Sequence, residues 1–332
     1  MIDVRTIVST SARRPNAGGC KLLCMIARRR IASLLILAFA GIAGCKERQN
    51  APAPDTSMAT PSPRAVIPAS SVNPGWDSAA GSVLLLPVSN MPYSVSVVLP
   101  ALTDSAMASA KSFDIGKLSG IEVDLFGKAG KVGSGSLVAQ SQHSVVEGCL
   151  SWPTGQLSGA TATNWWIALE KGRVVGIPLD SLEGLASADS AEMAKQIVLA
   201  ATSLPAASDS VFRGIPFAIR RAYRFMLGRS VVILSDVVRK INEEANPREE
   251  HLVLIVEHPS GGSYHVAYQS RSSGPEESLV TVEALAAVRF IQRNQPAIFI
   301  SSEYEDGGQV GLIERKGEAQ WRTVWRSAYT GC

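Results

Sequence analysis

No stretch of this 332-residue chain is apolar for long enough to cross a bilayer as a helix. The longest run of apolar and small residues, Ile31 to Gly44, has 14 residues, and a hydrocarbon core of ~30 Å takes about 20. Signatures of an activated nucleophile are missing too. There is no Gly-x-Ser-x-Gly elbow, and no Ser-x-x-Lys after residue 44. No Cys-x-x-Cys occurs, so two isolated cysteines offer a metal nothing to chelate. Gly127, Gly130, Gly133 and Gly135 lead into Ser136-Leu137-Val138, a strand, with no Lys-Ser/Thr pair behind them. A phosphate-cradling loop needs a helix N-terminus there, so that chemistry finds no support.

Near the beginning the chain is rich in what it otherwise lacks. Arg28, Arg29 and Arg30 precede the apolar segment from Ile31 to Phe39, and Ile42-Ala43-Gly44-Cys45 follows. A basic segment, a short apolar segment and small residues before a cleavage point make up a secretory signal. With Cys45 directly after the small residues, residues 25–45 resemble the signal and lipobox of bacterial prolipoproteins. The resemblance implies a diacylglyceryl thioether on Cys45, cleavage ahead of it and attachment to a membrane through acyl chains. Each buried methylene contributes roughly 0.8 kcal/mol, so two or three chains hold firmly. The alternatives are a stop-transfer anchor and an ordinary signal peptide with an incidental cysteine. Met25 heads the compact signal and reads as the working start. Lys46 stands where, in lipoproteins of double-membraned bacteria, Asp marks inner-membrane retention; the resemblance therefore implies the outer membrane, facing the periplasm.

Residues 1–44 hold seven of the 32 basic residues and one of the 29 acidic ones. The remainder, 25 basic against 28 acidic, carries −3, although the whole chain carries +3. A mildly acidic domain lacks the basic footprint of a nucleic-acid binder and the polybasic grip of an anionic-lipid binder. Of the five cysteines, Cys20 and Cys24 leave with the leader and Cys45 carries lipid. In an exported protein the remaining pair, Cys149 and Cys332, reads as one disulfide tying the end of the chain to its first half. Two free or intermolecular thiols are the alternative.

From Ala51 to Pro74 prolines alternate with Ala, Ser and Thr. Such a segment buries too little to fold and leans to polyproline II. About 30 residues at ~3.1 Å each make residues 45–75 a tether of up to ~90 Å. The globular part is expected to be mainly β (α+β), with antiparallel sheets or meanders in two halves, 76–186 and 206–332. One helix near 188–203, within 187–205, connects them. Ser82–Val88, Tyr93–Leu99, Ile121–Phe126 and Lys131–Gln140 are β-branched runs flanked by turn residues. Trp165–Leu169 and Arg173–Pro178 flank Glu170-Lys171-Gly172, a tight reversal. Met193, Ile197 and Leu199–Ala200 recur at helical spacing, with Asp189 near the start and Pro205 after the end. Phe217–Leu227, Leu252–His258, Ser263–Gln269, Ala297–Ser301, Val310–Glu314 and Trp321–Ser327 return to strands. Val231–Ile241 and Leu279–Ile291 fit either period, and we read both as strands.

Candidate sites are few. A two-residue turn at Gly261-Gly262 would set His258 opposite His265, with Cβ atoms ~5 Å apart. Two ligands are too few for zinc, so these are weak metal candidates and hairpin-end histidines are the expected reading. Glu243-Glu244 and Glu249-Glu250 flank Asn246-Pro247 and read as a solvated turn. Trp321, Thr323 and Trp325 would share one strand face; with Trp165-Trp166 they form a possible binding face, core packing being the alternative. No cofactor is implied. The expectation is a non-catalytic envelope binding or assembly module, with an envelope protein or glycan as partner. The alternatives are a carboxylate-based glycan hydrolase, or a carrier of a small apolar ligand inside a barrel.

Overall fold

A computed structural model describes residues 73–331, apart from 74, 90, 110–111, 140–142, 145–148, 206–209, 243–246 and 276–277. The chain divides into units 1–63 and 64–332, and all described residues belong to the second. The leader, Ile42, Ala43, Gly44 and Cys45, the tether to residue 72, and Cys332 lie outside the described residues.

The first eight strands are β1 (Leu84–Val88), β2 (Met91–Val98), β3 (Ser112–Phe113), β4 (Glu122–Gly127), β5 (Gly130–Ala139), β6 (His143–Ser144), β7 (Thr154–Ser158) and β8 (Ile167–Glu170). The short β3 and β6 pair with each other, and a short helix, α1 (Asp104–Ser109), precedes them. The other six close an antiparallel barrel in the order β1-β2-β7-β5-β4-β8. Register places Leu85, Val95, Val97, Val123, Leu125, Leu137, Leu157 and Ala168 on one side of the wall, all buried. The other side carries Ser94, Ser96, Ser134, Ser136, Gln156 and Ser158 along β2, β5 and β7. Eight strands give an interior just wide enough for side chains, and here six enclose those eight apolar residues.

Two further sheets follow, built from β9 (Val174–Ile177), β10 (Asp180–Ser181), β11 (Ala218–Leu227), β12 (Ser230–Ile241), β13 (Arg248–His258), β14 (His265–Pro275), β15 (Thr281–Phe290), β16 (Gln295–Tyr304), β17 (Gly307–Gly317), β18 (Gln320–Arg326) and β19 (Thr330–Gly331). One sheet has the order β10-β11-β12-β13-β14; the other runs β18-β17-β16-β15-β9, with β19 beside β17. The helix α2 (Ser187–Ser203) buries Met193, Ile197 and Ala201 against Ala222, Ile233, Val237, Leu252 and Leu254 of the first sheet. Val232, Leu234, Val253 and Ile255 face the second sheet, packing on Ile298, Ile300, Ile313 and Trp321. The second sheet's other face, with Phe290, Phe299, Leu312 and Trp325, packs on the barrel. The layers are therefore helix, sheet, sheet and barrel.

The protein is mainly β with antiparallel sheets in two halves, and 231–241 and 281–290 are strands. Because β12 and β13 are covered on both faces, their apolar runs lack alternation. The reversal expected at 170–172 is not a hairpin. β8 pairs with β1 and β4 in the barrel, whereas β9 pairs with β15, so the turn hands the chain from barrel to sheet. Asp124 Oδ2 accepts from Gly172 N (3.0 Å) and holds that turn. The crossing needs Gly176: a Cβ there would stand 2.5 Å from Lys131 N.

Candidate functional site

The polar residues of interest sit within the first sheet, where sequence periodicity predicts only core. Asp236 interrupts the apolar run of β12, and Glu249 and His251 precede that of β13. Pairing of Val237 with Leu252 and Val238 with His251 brings the three together on the face toward the second sheet. His251 is 4% exposed. Its Nε2 lies 2.9 Å from Glu249 Oε2, and its Nδ1 lies 3.5 Å from Asp236 Oδ1. The Asp236 carboxylate raises the imidazole above its ordinary pKa of 6.5; burial opposes this, and the Glu249 hydrogen bond adds to it. Burial pulls Glu249 upward, but hydrogen bonds from Lys240 and His251 outweigh it and hold this carboxyl low.

A bulge at Arg220 on β11 aims its guanidinium under the sheet. There Nε donates to Asp236 Oδ2 (2.5 Å) and Nη2 donates to Val282 O of the second sheet (3.2 Å). Next to it, Glu283 accepts from Lys128 Nζ (2.7 Å) and Tyr223 OH (3.2 Å), and pairs with Arg221. On the helix side of the same sheet, fully buried Glu250 receives both Arg239 and Arg271. Arg239 also donates to Phe212 O (2.7 Å) and packs on the rings of Phe212 and Phe217.

Glu249 and Glu250 are therefore not a solvated turn: both are buried and ion-paired. Glu243 and Glu244 lie outside the described residues. Among the described residues, every buried carboxylate meets a cation. Lys131 serves Asp124, Arg220 serves Asp236, Lys240 serves Glu249, and Arg239 and Arg271 serve Glu250. Arg315 serves Glu257, and Arg293 and Lys316 serve Glu314. A carboxylate removed from water has to be paired, which is why each sits in such a set. The sequence signal was a charged residue breaking an apolar strand run.

The tryptophan face is corrected. Trp321 pairs with Arg315 and Thr323 with Ile313, but Trp325 pairs with Leu312. A bulge at Val324 thus adds one residue and flips parity, sending Trp321 and Trp325 to opposite faces. Trp321 packs between the sheets and donates to Glu257 Oε2 (3.2 Å); Trp325 packs toward the barrel and donates to Pro100 O (2.9 Å). Trp165 is buried, and of the four only Trp166 is substantially exposed, at 45%. The histidine pair is also corrected. His265 pairs with Glu257, so His258 belongs to the opposite face, stacked on Tyr264 with Nε2 at Gly262 O (3.0 Å). His265 Nε2 meets Ser263 Oγ (3.1 Å). Among the described residues, no group of three or more His, Cys, Asp or Glu could hold a metal ion.

Beyond His251 the two sheets part into a cleft of about 190 Å³. Val253, Val282 and Ile300 line it below, with Tyr268, Ser270, Ser302, Tyr304 and Arg326 around it. Leu150 forms a bridge with Gly331, next in sequence to Cys149 and Cys332 respectively. No known protein family matches the chain, and neither any curated protein nor any solved structure matches it.

Proposed function

We propose that this protein is an exported lipoprotein, anchored by Cys45 and acting through its β domain as a non-catalytic binding or assembly module of the cell envelope. The observation that carries the reading is the pairing of every buried carboxylate among the described residues. A glycan hydrolase acting through two carboxyls needs one held protonated by a raised pKa. Glu170 and Glu249 are instead held low: burial raises each, but hydrogen bonds from Ser82 and Arg173, and from Lys240 and His251, prevail. His251 is buried between Asp236 and Glu249 with its Nε2 taken by Glu249 Oε2 (2.9 Å), an environment that holds the imidazole as part of an ion set. The apolar-carrier reading draws nothing from the barrel, whose interior positions are filled.

The anchor rests on the lipobox, Ile42-Ala43-Gly44-Cys45, and the proline-rich segment after it provides the reach. A Cys149–Cys332 disulfide belongs to the same reading. Support comes from their sequence neighbours, since Leu150 and Gly331 form an antiparallel bridge. An outer-membrane address facing the periplasm follows from Lys46 where the source has two membranes. Fractionation tests the anchor: Cys45→Ala should move the protein from membranes to the soluble envelope fraction, and a variant that stays membrane-bound ends the reading. In-cell crosslinking and mass spectrometry test the binding role; a stoichiometric envelope protein or glycan is expected, and none at all would overturn it.

A further inference from the structure

The cleft between the two sheets has a composition that the ion-pair network does not explain. Its floor is apolar, Val253, Val282 and Ile300, while hydroxyls surround it. Those of Ser270 and Ser302 have no hydrogen-bond partner among the described residues. Tyr268 shares a hydrogen bond with Thr323 Oγ1 (3.0 Å), and Tyr304 stands at the rim, 36% exposed. Three basic residues line the cavity, His251, Arg271 and Arg326, and no acidic one does. Arg271 is already held by Glu250 and by Pro205 O, whereas Arg326 has no ion-pair partner among the described residues. At the inner end the buried Nδ1 of His251 makes no hydrogen bond. Around it Arg220 and Lys240 meet Asp236 and Glu249 one for one, so the unpaired positive charge of the cleft is that of Arg326.

An apolar floor, a ring of hydroxyls and unbalanced positive charge together select a ligand that is hydroxylated and anionic. The volume sets its size, since a cavity near ~150 Å³ accommodates a single six-membered ring. We propose that this cleft binds a sugar acid of one-ring size, its carboxylate on Arg326 and its hydroxyls on Ser270 and Ser302. Guanidinium suits that carboxylate because its fork can make two parallel hydrogen bonds. The tyrosines supply ring faces on which a pyranose packs. The proposal deepens the binding-module reading and rests on it.

The test is calorimetric titration of the lipidated protein in detergent micelles with D-glucuronate, and with D-glucose as the uncharged counterpart. Saturable 1:1 binding of glucuronate, at least tenfold tighter than glucose, is expected. Arg326→Gln should weaken it at least tenfold, and Ser270→Ala with Ser302→Ala should weaken glucose and glucuronate alike, with circular dichroism unchanged in both variants. No saturable heat, equal affinity for the two sugars, or binding untouched by both variants overturns the proposal. Anchoring and partner capture do not enter this titration, so its failure removes the ligand and leaves the module reading standing. Saturable binding accompanied by release of nitrophenol from p-nitrophenyl β-D-glucuronide would instead overturn the non-catalytic reading.

Discussion

Leu150 and Gly331 exchange both backbone hydrogen bonds, with N···O distances of 2.8 Å in each direction. In an antiparallel ladder the next pair outward is non-hydrogen-bonded, the closer kind, with Cα atoms ~4.5 Å apart. That separation lies within the range a disulfide spans.

Peptide mapping without reduction should therefore recover Cys149 linked to Cys332 from exported protein. Cys149→Ser should cost about 2–5 kcal/mol in denaturant unfolding, the usual range for losing a native bridge. Two alkylatable thiols in the mature protein would contradict this.

Stability should depend on pH through His251. Its folded-state pKa lies above the ordinary 6.5, first through Asp236 and then through Glu249. The contribution is therefore complete below about pH 6.5 and is lost as pH rises through the folded value. Glu249 works in the opposite sense: held below 4.5, it contributes above that pH and loses its contribution as pH falls. Thermal unfolding scans from roughly pH 5 to 9 should show the loss on the alkaline side, and His251→Gln should flatten it. An identical slope in the variant would assign the dependence to another group.

Removing one member of a buried ion set is costly because the others stay behind without a partner. Glu250→Ala leaves Arg239 and Arg271 facing each other and should destabilise the domain by about 3–5 kcal/mol. Glu122, exposed and bonded only to Lys171 across the turn, is the control; Glu122→Ala should change stability by under about 1 kcal/mol. Equal effects of the two would refute the distinction.

Gly176→Ala probes the junction between barrel and sheet. The added methyl would press on the Lys131 and Gly130 backbone, and backbone does not yield as a flexible side chain does. A loss of about 1–3 kcal/mol is expected. Gly120→Ala is a comparison in open space, where only its positive φ of 89° opposes a side chain.

The strands were legible wherever hydrophobic runs ended in turn residues, as at Ala218–Leu227 and Gln295–Tyr304, because that signal is local. The α2 stripe was legible for the same reason, since 3.6-residue spacing places Met193 and Ile197 on one side. Single-residue register was not. One bulge at Val324 inverted the tryptophan face, and a one-residue offset between His258 and His265 separated that pair. A bulge leaves almost no mark in composition and reverses every side chain beyond it.

By itself, then, the sequence determined the β class and the one long helix found among the described residues, both of which rest on contiguous residues and their periodicity. Only the tertiary structure decided which carboxylates are buried and what neutralises each. Asp236, Glu250 and Glu257 look like surface charges in one dimension. They become core residues because Arg220, Arg239, Arg271 and Arg315 arrive from other strands to meet them. The closure of β1 on β8, the entry of β9 into the second sheet and the cleft beside His251 likewise depend on pairings between distant segments. Long-range hydrogen bonding selects such pairings, and local residue preference carries no record of them.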